Sequence, residues 1–256
     1  MRRMKYIFQW LVDNSLEKDK LIKSRYRVKG IIGQGSYGVA YICVDEKEEV
    51  QKVLKQLRPS KRKRKTEIAY FMKESEILKE IDHRQVPKFY EAFIEENNYF
   101  YVMEYIPGNN LENEIFKRKQ TFDEIGSLLF IENLFRVVNF LHHQHIYHLD
   151  LRIPNLMIKD DALYIIDFGL AQQGASEKVR KELQQQDYYD LGDILLYLLY
   201  TTFTKRKYKK ALPWTEELIL KDETVRFLKR LLGIQPNYES DEALLADLKA
   251  AIQANS

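Results

Sequence analysis

Cysteine is nearly absent from this chain: Cys43 stands alone among 256 residues. A lone thiol excludes a disulfide framework and fits a reducing compartment, so the cytoplasm is the expected location. Long apolar runs are missing too. Even residues 194–200 fall short of the roughly 20 apolar residues a spanning helix needs, so no transmembrane segment is expected. The start, Met1-Arg2-Arg3-Met4-Lys5, is basic and leads into apolar residues at 6–12, but Gln9 interrupts that run. Asp13 and Asn14 follow it without a small-residue cleavage site, so a secretion signal is not expected. Residues 1–24 are expected to be a helical, amphipathic extension lying on the fold, with contact to a membrane surface as the alternative. An excess of one charge is also lacking: 41 Lys and Arg against 38 Asp and Glu leave a net +3. Electrostatic partners would therefore be drawn by clusters, at residues 61–65 (Lys61, Arg62, Lys63, Arg64, Lys65) and at 205–210, which includes Lys205 and Lys210. Such runs suit an acidic protein, nucleic acid or an anionic membrane surface, or are simply solvated loops. With 45% hydrophobic and 31% charged residues, the composition is that of a globular protein long enough for one large core or two compact lobes.

Zinc spacing is missing as well. His142, His143, His145 and His148 crowd one stretch, yet no pair has the i, i+4 separation of helical zinc ligands.

The chain does carry two motifs in series. His148-Leu149-Asp150-Leu151-Arg152-Ile153-Pro154-Asn155 puts an aspartate, a cation and an asparagine on one short loop, and Asp167-Phe168-Gly169 adds a second aspartate on a turn beyond it. Each residue type is an ordinary turn former alone. In this order they supply what magnesium-dependent phosphoryl transfer requires.

Upstream, residues 26–32 and 39–44 read as strands around Gly33-Gln34-Gly35-Ser36-Tyr37-Gly38, a hairpin whose glycines let main chain approach a ligand. A dinucleotide-binding fold would follow such glycines with a helix, whereas here strand residues continue. The next strand, Val53-Leu54-Lys55-Gln56-Leu57, places Lys55 half-buried by period-2 alternation, with Lys52 its competitor on the opposite face. Residues 66–81 have helical periodicity, and Glu74 falls in the stripe of Phe71, Leu78 and Ile81. A carboxylate there needs a cation from outside the helix, for which Lys55 is the candidate. The alternative leaves Glu74 at the stripe's edge in water near Lys73 or Lys79. Residues 99–108 read as a buried strand ending at Pro107-Gly108.

Together these motifs resemble the protein kinase family, over residues 25–256, and most of all the bacterial eukaryotic-like (Hanks-type) serine/threonine kinases. The resemblance implies an α+β, two-lobed fold: a small, mainly β N-lobe with one helix at 25–106 and a larger helical C-lobe at 107–256. It implies an ATP- and magnesium-dependent kinase, with manganese able to replace magnesium, acting on protein serine or threonine and capable of autophosphorylation. Asp150 would orient the acceptor hydroxyl and take its proton; Lys55, paired with Glu74, would position phosphates; Arg152 would offset charge on the moving group. Asn155 and Asp167 would hold the metal. ATP would lie against Ile32, Gly33, Gln34, Gly35, Ser36, Tyr37, Gly38, Ala40 and Lys55, with Met103 as gatekeeper and the main chain of Glu104 and Ile106 facing adenine.

The chain departs from the family pattern after the second motif. Asp187 begins what resembles the buried αF helix, leaving a short segment with no Ala-Pro-Glu, no threonine, and a polar helix at 178–186. Leu149 replaces the arginine that pairs with a phosphorylated activation segment, so that mode of switching is not expected. Two alternatives follow: a small-molecule kinase on the same fold, favoured by the missing peptide shelf, and a nucleotide-binding pseudokinase, disfavoured because every catalytic position is filled.

Overall fold

The structure is a computed structural model that describes residues 15–35, 37–174, 176–203 and 212–256. Ser36, the basic stretch at 205–210 and the first fourteen residues lie outside the described residues. The chain divides into two compact units, one ending at Pro107 and one beginning at Gly108.

The first unit is a six-stranded antiparallel sheet with one α-helix among its described residues. Its strands are β1 (Leu21–Ile22), β2 (Tyr26–Gln34), β3 (Gly38–Asp45), β4 (Val50–Leu57), β5 (Phe89–Glu95) and β6 (Asn98–Glu104), in the order β1-β2-β3-β4-β6-β5. Helix α1 (Lys65–Glu80) links β4 to β5. Alternating β-branched and aromatic residues close one core of Tyr26, Val28, Val39, Tyr41, Cys43, Leu54, Phe100 and Val102. Burial pushes the Cys43 thiol up to about 12, so it is packing and not a nucleophile.

The expected helical extension is corrected where it can be seen. Residues 15–20 form no helix, and Leu21–Ile22 pair with β2 at Leu21↔Arg27 and Ile22↔Tyr26. Lys23 and Ser24, both at positive φ, turn the chain tightly, and Ile22 is buried. Over residues 21–22 a two-residue hairpin arm that buries Ile22 stands where helix was expected.

The second unit is mainly helical: α2 (Leu111–Phe116), α3 (Glu124–His143), α4 (Glu177–Leu199), α5 (Trp214–Glu217), α6 (Asp222–Leu231) and α7 (Asp241–Ala254). Short strands β7 (Asn109–Asn110), β9 (Leu156–Lys159) and β10 (Ala162–Ile165) form one sheet, and β8 (Ile146–Tyr147) pairs with β11 (Gln172–Gln173). Asp123 caps α3 by accepting from Gly126 N at 2.8 Å. The helix is long and apolar enough to qualify as a membrane span by composition. Its apolar residues, including Leu128, Ile131, Leu134, Phe135 and Val138, are nevertheless buried in the unit, where it packs on α4 and α7.

The polar helix expected at 178–186 and the αF-like helix expected from Asp187 are one element. Helix α4 runs unbroken for 23 residues, because the intervening Lys, Arg, Glu and Gln are good helix formers and no glycine or proline interrupts them. Ser176 caps it, accepting from Val179 N at 3.4 Å.

Candidate active site

In the first unit the glycine turn is closed by Gly35 N donating to Gly38 O at 3.0 Å. Gly33 lies opposite Ala40, and Ala40 opposite Lys55. Ile32 and Gln34 are exposed on β2. A Cβ at Gly38 would sit 2.9 Å from Gln56 O, so only glycine lets β3 pass this close to the main chain of β4. The Tyr37 ring lies under Lys61 Nζ, 4.0 Å from its centroid, and edge-on to Tyr70. At the end of β6, Met103 is half-buried and Ile106 buried, and the N–H of Glu104 donates to Lys88 O at 2.8 Å.

Lys55 and Glu74 meet. Lys55 Nζ donates to Glu74 Oε1 at 2.5 Å, with side chains 13% and 4% exposed. The carboxylate is held from a second side by Tyr101, whose hydroxyl donates to Oε1 at 2.8 Å. Tyr101 lies opposite Lys55 across the β4–β6 ladder. The sequence reading missed it, although its place in a buried strand beside a charged one was a signal that its hydroxyl needed a partner.

Lys52 is committed elsewhere. It is 1% exposed and donates to Asp45 at 2.6 Å and to Glu48 at 2.7 Å, while Arg25 grips Asp45 with Nε at 2.8 Å and Nη2 at 2.7 Å. Burial works against the charge on Asp45, but the bonds from Arg25 and Lys52 outweigh it and hold its carboxyl well below the usual range. That contribution to stability is present above the ordinary carboxylate pKa and is lost as pH falls through the depressed value. The two lysines therefore separate by experiment. Lys52→Ala should leave a buried carboxylate short of one partner and lower stability by up to about 3–5 kcal/mol in a denaturant melt, with turnover per folded molecule unchanged. Lys55→Ala should lower turnover about 10²–10³-fold. Reversed effects would show that Lys52 handles the nucleotide.

In the second unit the loop that carries Asp150 is fastened from three sides. Asp187 of α4 accepts from His148 N at 3.0 Å and Leu149 N at 2.7 Å. Leu149 is at φ +62°, a conformation that a non-glycine residue keeps only when held there. Asp190, one turn on, accepts from Leu151 N at 3.1 Å. His148 is fully buried, packs edge-on against Phe168 at 4.9 Å, takes the Asp150 N–H on Nδ1 at 3.3 Å and reaches Ile166 O with Nε2 at 3.4 Å. Burial lowers its pKa, so the ring is a neutral strut between the two motifs.

Asp150 and Asn155 are joined directly, and Asp167 follows a residue bonded to Asn155. Asn155 Nδ2 donates to Asp150 Oδ2 and to Asp150 O, both at 2.9 Å. Ile166 N donates to Asn155 O at 2.9 Å, which sets Asp167 beside Asn155. Asp167 itself is at φ +64°. Arg152 Nε lies 3.4 Å from Asp150 Oδ1 and is 61% exposed. The remaining histidines go separate ways: His142 to Asp187, His143 to Asn139 O and His145 to Arg180.

Asp190 gives the loop a pH dependence. Burial pushes its carboxyl up to about 6, Asp187 and Asp150 add repulsion, and the Gln186 and Leu151 donors oppose the rise. A raised carboxyl binds its proton more tightly folded than unfolded, so this group adds stability as pH falls through about 6. Protonation weakens the charge-assisted bond to Leu151 N. The kcat profile should therefore fall on an acid limb near pH 6 that Asp190→Asn removes. An identical limb in the variant would assign it to another group.

Residues 26–190 match the model of the protein kinase domain. Over 253 residues the chain is 40% identical to the probable serine/threonine-protein kinase YbdM of Bacillus subtilis, covering 98% of each. It is 30% identical over 203 residues to calcium-dependent protein kinase 4 of Plasmodium falciparum, covering 72% of this chain but 38% of that protein. With the human serine/threonine-protein kinase Nek11 the identity is 31% over 158 residues, 59% of this chain and 24% of the relative.

Proposed function

Because the chain belongs to the protein kinase domain family, we propose that it transfers the γ-phosphoryl group of ATP to serine and threonine hydroxyls of proteins, its own included. The observation that carries this is the linked set of Asp150, Asn155 and Asp167, backed by the Lys55–Glu74 pair.

The donor set suits magnesium, or manganese in its place. Asn155 commits its amide nitrogen to Asp150, so its carbonyl oxygen is the atom turned to a cation, and the Asp167 carboxylate is the second donor. Two hard oxygens are what a small divalent ion takes from protein when phosphates and water complete its shell. Bound there, the ion supplies charge neutralisation at the phosphates. The chain's own residues do the rest. Asp150, aligned by Asn155, orients the acceptor hydroxyl and accepts its proton late in an in-line transfer. Lys55 in the first unit and Arg152 in the second are each a fixed cation of the kind that suits phosphoryl oxygens. Met103 and the main chain of Glu104 and Ile106 border adenine, and the glycine turn with Ile32 and Ala40 covers the nucleotide. The single, buried thiol of Cys43 favours the cytoplasm.

One feature favours a second reading, a small-molecule kinase. Only a short stretch separates Gly169 from α4, and it pairs as β11 with β8. It leaves little chain for a peptide shelf. Incubating the purified protein with labelled ATP and magnesium, with casein in one arm and a panel of small hydroxyl compounds in the other, decides between them. Label on casein or on the protein itself supports the protein kinase, and label on a small hydroxyl alone supports the second reading. No label on either acceptor or on the protein overturns both.

A further inference from the structure

We propose that the basic segment joining β4 to α1, residues 58–65, is a docking site for an acidic stretch of the protein acceptor, an inference that rests on the protein kinase reading above. Arg58, Lys61, Arg62, Lys63, Arg64 and Lys65 put six cations into eight residues.

The segment is a built surface and not a solvated loop. Residues Pro59–Lys61 form a 3-10 turn, and Arg64 N donates to Lys61 O at 2.9 Å. Lys61 Nζ pairs with Glu67 at 2.9 Å, and Arg62 Nη1 donates to Asn98 Oδ1 at 3.2 Å. Lys63, Arg64 and Lys65 are exposed. Glu67 pairs with Lys61 and, at 3.7 Å, with Arg64, while the Lys63 and Lys65 side chains stand exposed to solvent.

That charge is also placed against local preference. Arg64 is the N-cap of α1 and gives it no side-chain cap, and Lys65 is its first residue. Cations at the positive end of a helix are repelled by its dipole. A helix start without a side-chain cap and clustered ammonium and guanidinium groups both favour an anion here.

The run is tied to the glycine turn. Arg58 N donates to Tyr37 O at 3.0 Å, Arg58 Nε donates to Gly35 O at 2.8 Å, and Lys61 sits over the Tyr37 ring. An anion held by the segment is therefore held beside the main chain that covers the nucleotide, which is a place for a substrate. Insertion into a membrane needs apolar residues, and residues 58–66 supply only Pro59. A general nucleic-acid patch gains nothing from attachment to this turn.

The test uses the full chain and a fluorescent, serine-containing peptide rich in Asp and Glu, beside a twin with Asn and Gln in their place. Anisotropy without nucleotide should show about tenfold tighter binding of the acidic peptide, weakened by salt. The K63E/R64E/K65E variant should abolish that preference. In the kinase assay it should raise KM for the acidic peptide about tenfold, leaving kcat, KM for ATP and activity on the neutral twin unchanged. If the triple reversal lowers the melting temperature, K63A/K65A gives the milder comparison. Equal binding of the twins, an unchanged variant, or preference for RNA or phosphatidylserine vesicles over the acidic peptide would overturn the proposal. Charge-dependent binding without phosphate transfer to any acceptor would leave the docking site standing and the catalytic reading defeated.

Discussion

Asp150→Asn lowers turnover about 10²–10⁴-fold and leaves the melting temperature where it was. The substitution keeps the shape of the side chain, and an amide oxygen can still accept the Asn155 Nδ2 hydrogen bond now made at 2.9 Å to Oδ2. The main-chain bond from Asn155 to Asp150 O is untouched, as is the bond from Asp150 N to His148. What is lost is a negative charge at a side chain 28% exposed, able to face an acceptor hydroxyl. With geometry kept and charge removed, kcat should fall while KM for ATP moves little, because Asp150 is not assigned to nucleotide binding. A rate-against-melting measurement checks both halves. A variant that retains turnover would move the proton-accepting role away from Asp150.

Much of this site could be read from the sequence because its parts violate local rules. Glu74 stood out as a carboxylate in an apolar stripe, and the structure gives it a cation and a phenol. Asp187 carries the same signal: it shares a buried face of α4 with Leu191, Ile194, Leu195 and Leu198. In sequence it resembles the start of a helix and names no partner, since the main-chain N–H groups it binds leave no mark in side-chain patterns. Asp190 and Tyr101 were missed for a related reason. A polar residue one turn away, or across a ladder, gains its meaning from register, which periodicity alone does not fix.

Strands β2, β3, β4 and β6 and helix α1 were legible because their hydrophobic periods are strong, whereas β5 (Phe89–Glu95) and the short strands of the second unit went unread. The joined helix α4 was not, because the expectation of a break came from family pattern, while local propensity over 178–186 favours continuity. The hairpin arm at Leu21–Ile22 was hidden by length: two residues of strand have no period to detect. The β4–α1 run was legible as charge and illegible as surface, since nothing in a string of lysines and arginines foretells that Arg58 would grip the glycine turn.

Asp187→Asn should behave in the opposite way to Asp150→Asn, costing stability as well as turnover. Asp187 is 1% exposed and serves three donors: His148 N, Leu149 N and His142 Nε2, the last at 2.9 Å. Burial works against charge on His142, but hydrogen bonds to Asp187 and to Asp241, which also accepts from Tyr188 OH at 2.6 Å, outweigh it and raise its pKa. Where His142 is protonated, removing the Asp187 charge leaves a buried imidazolium with half its compensation, a change of about 3–5 kcal/mol. It also weakens the hold on Leu149, whose left-handed backbone then relaxes and takes Asp150 with it. The sign of the pH effect is fixed by the raised value: His142 contributes stability fully below its unfolded pKa of about 6.5, and that contribution is lost as pH rises through the folded one. The wild-type melting temperature should therefore carry a decline over that window which Asp187→Asn flattens. Thermal melts across pH for both proteins check this, and a variant as stable as the wild type at neutral pH would show that Asp187 is not what keeps the catalytic loop in place.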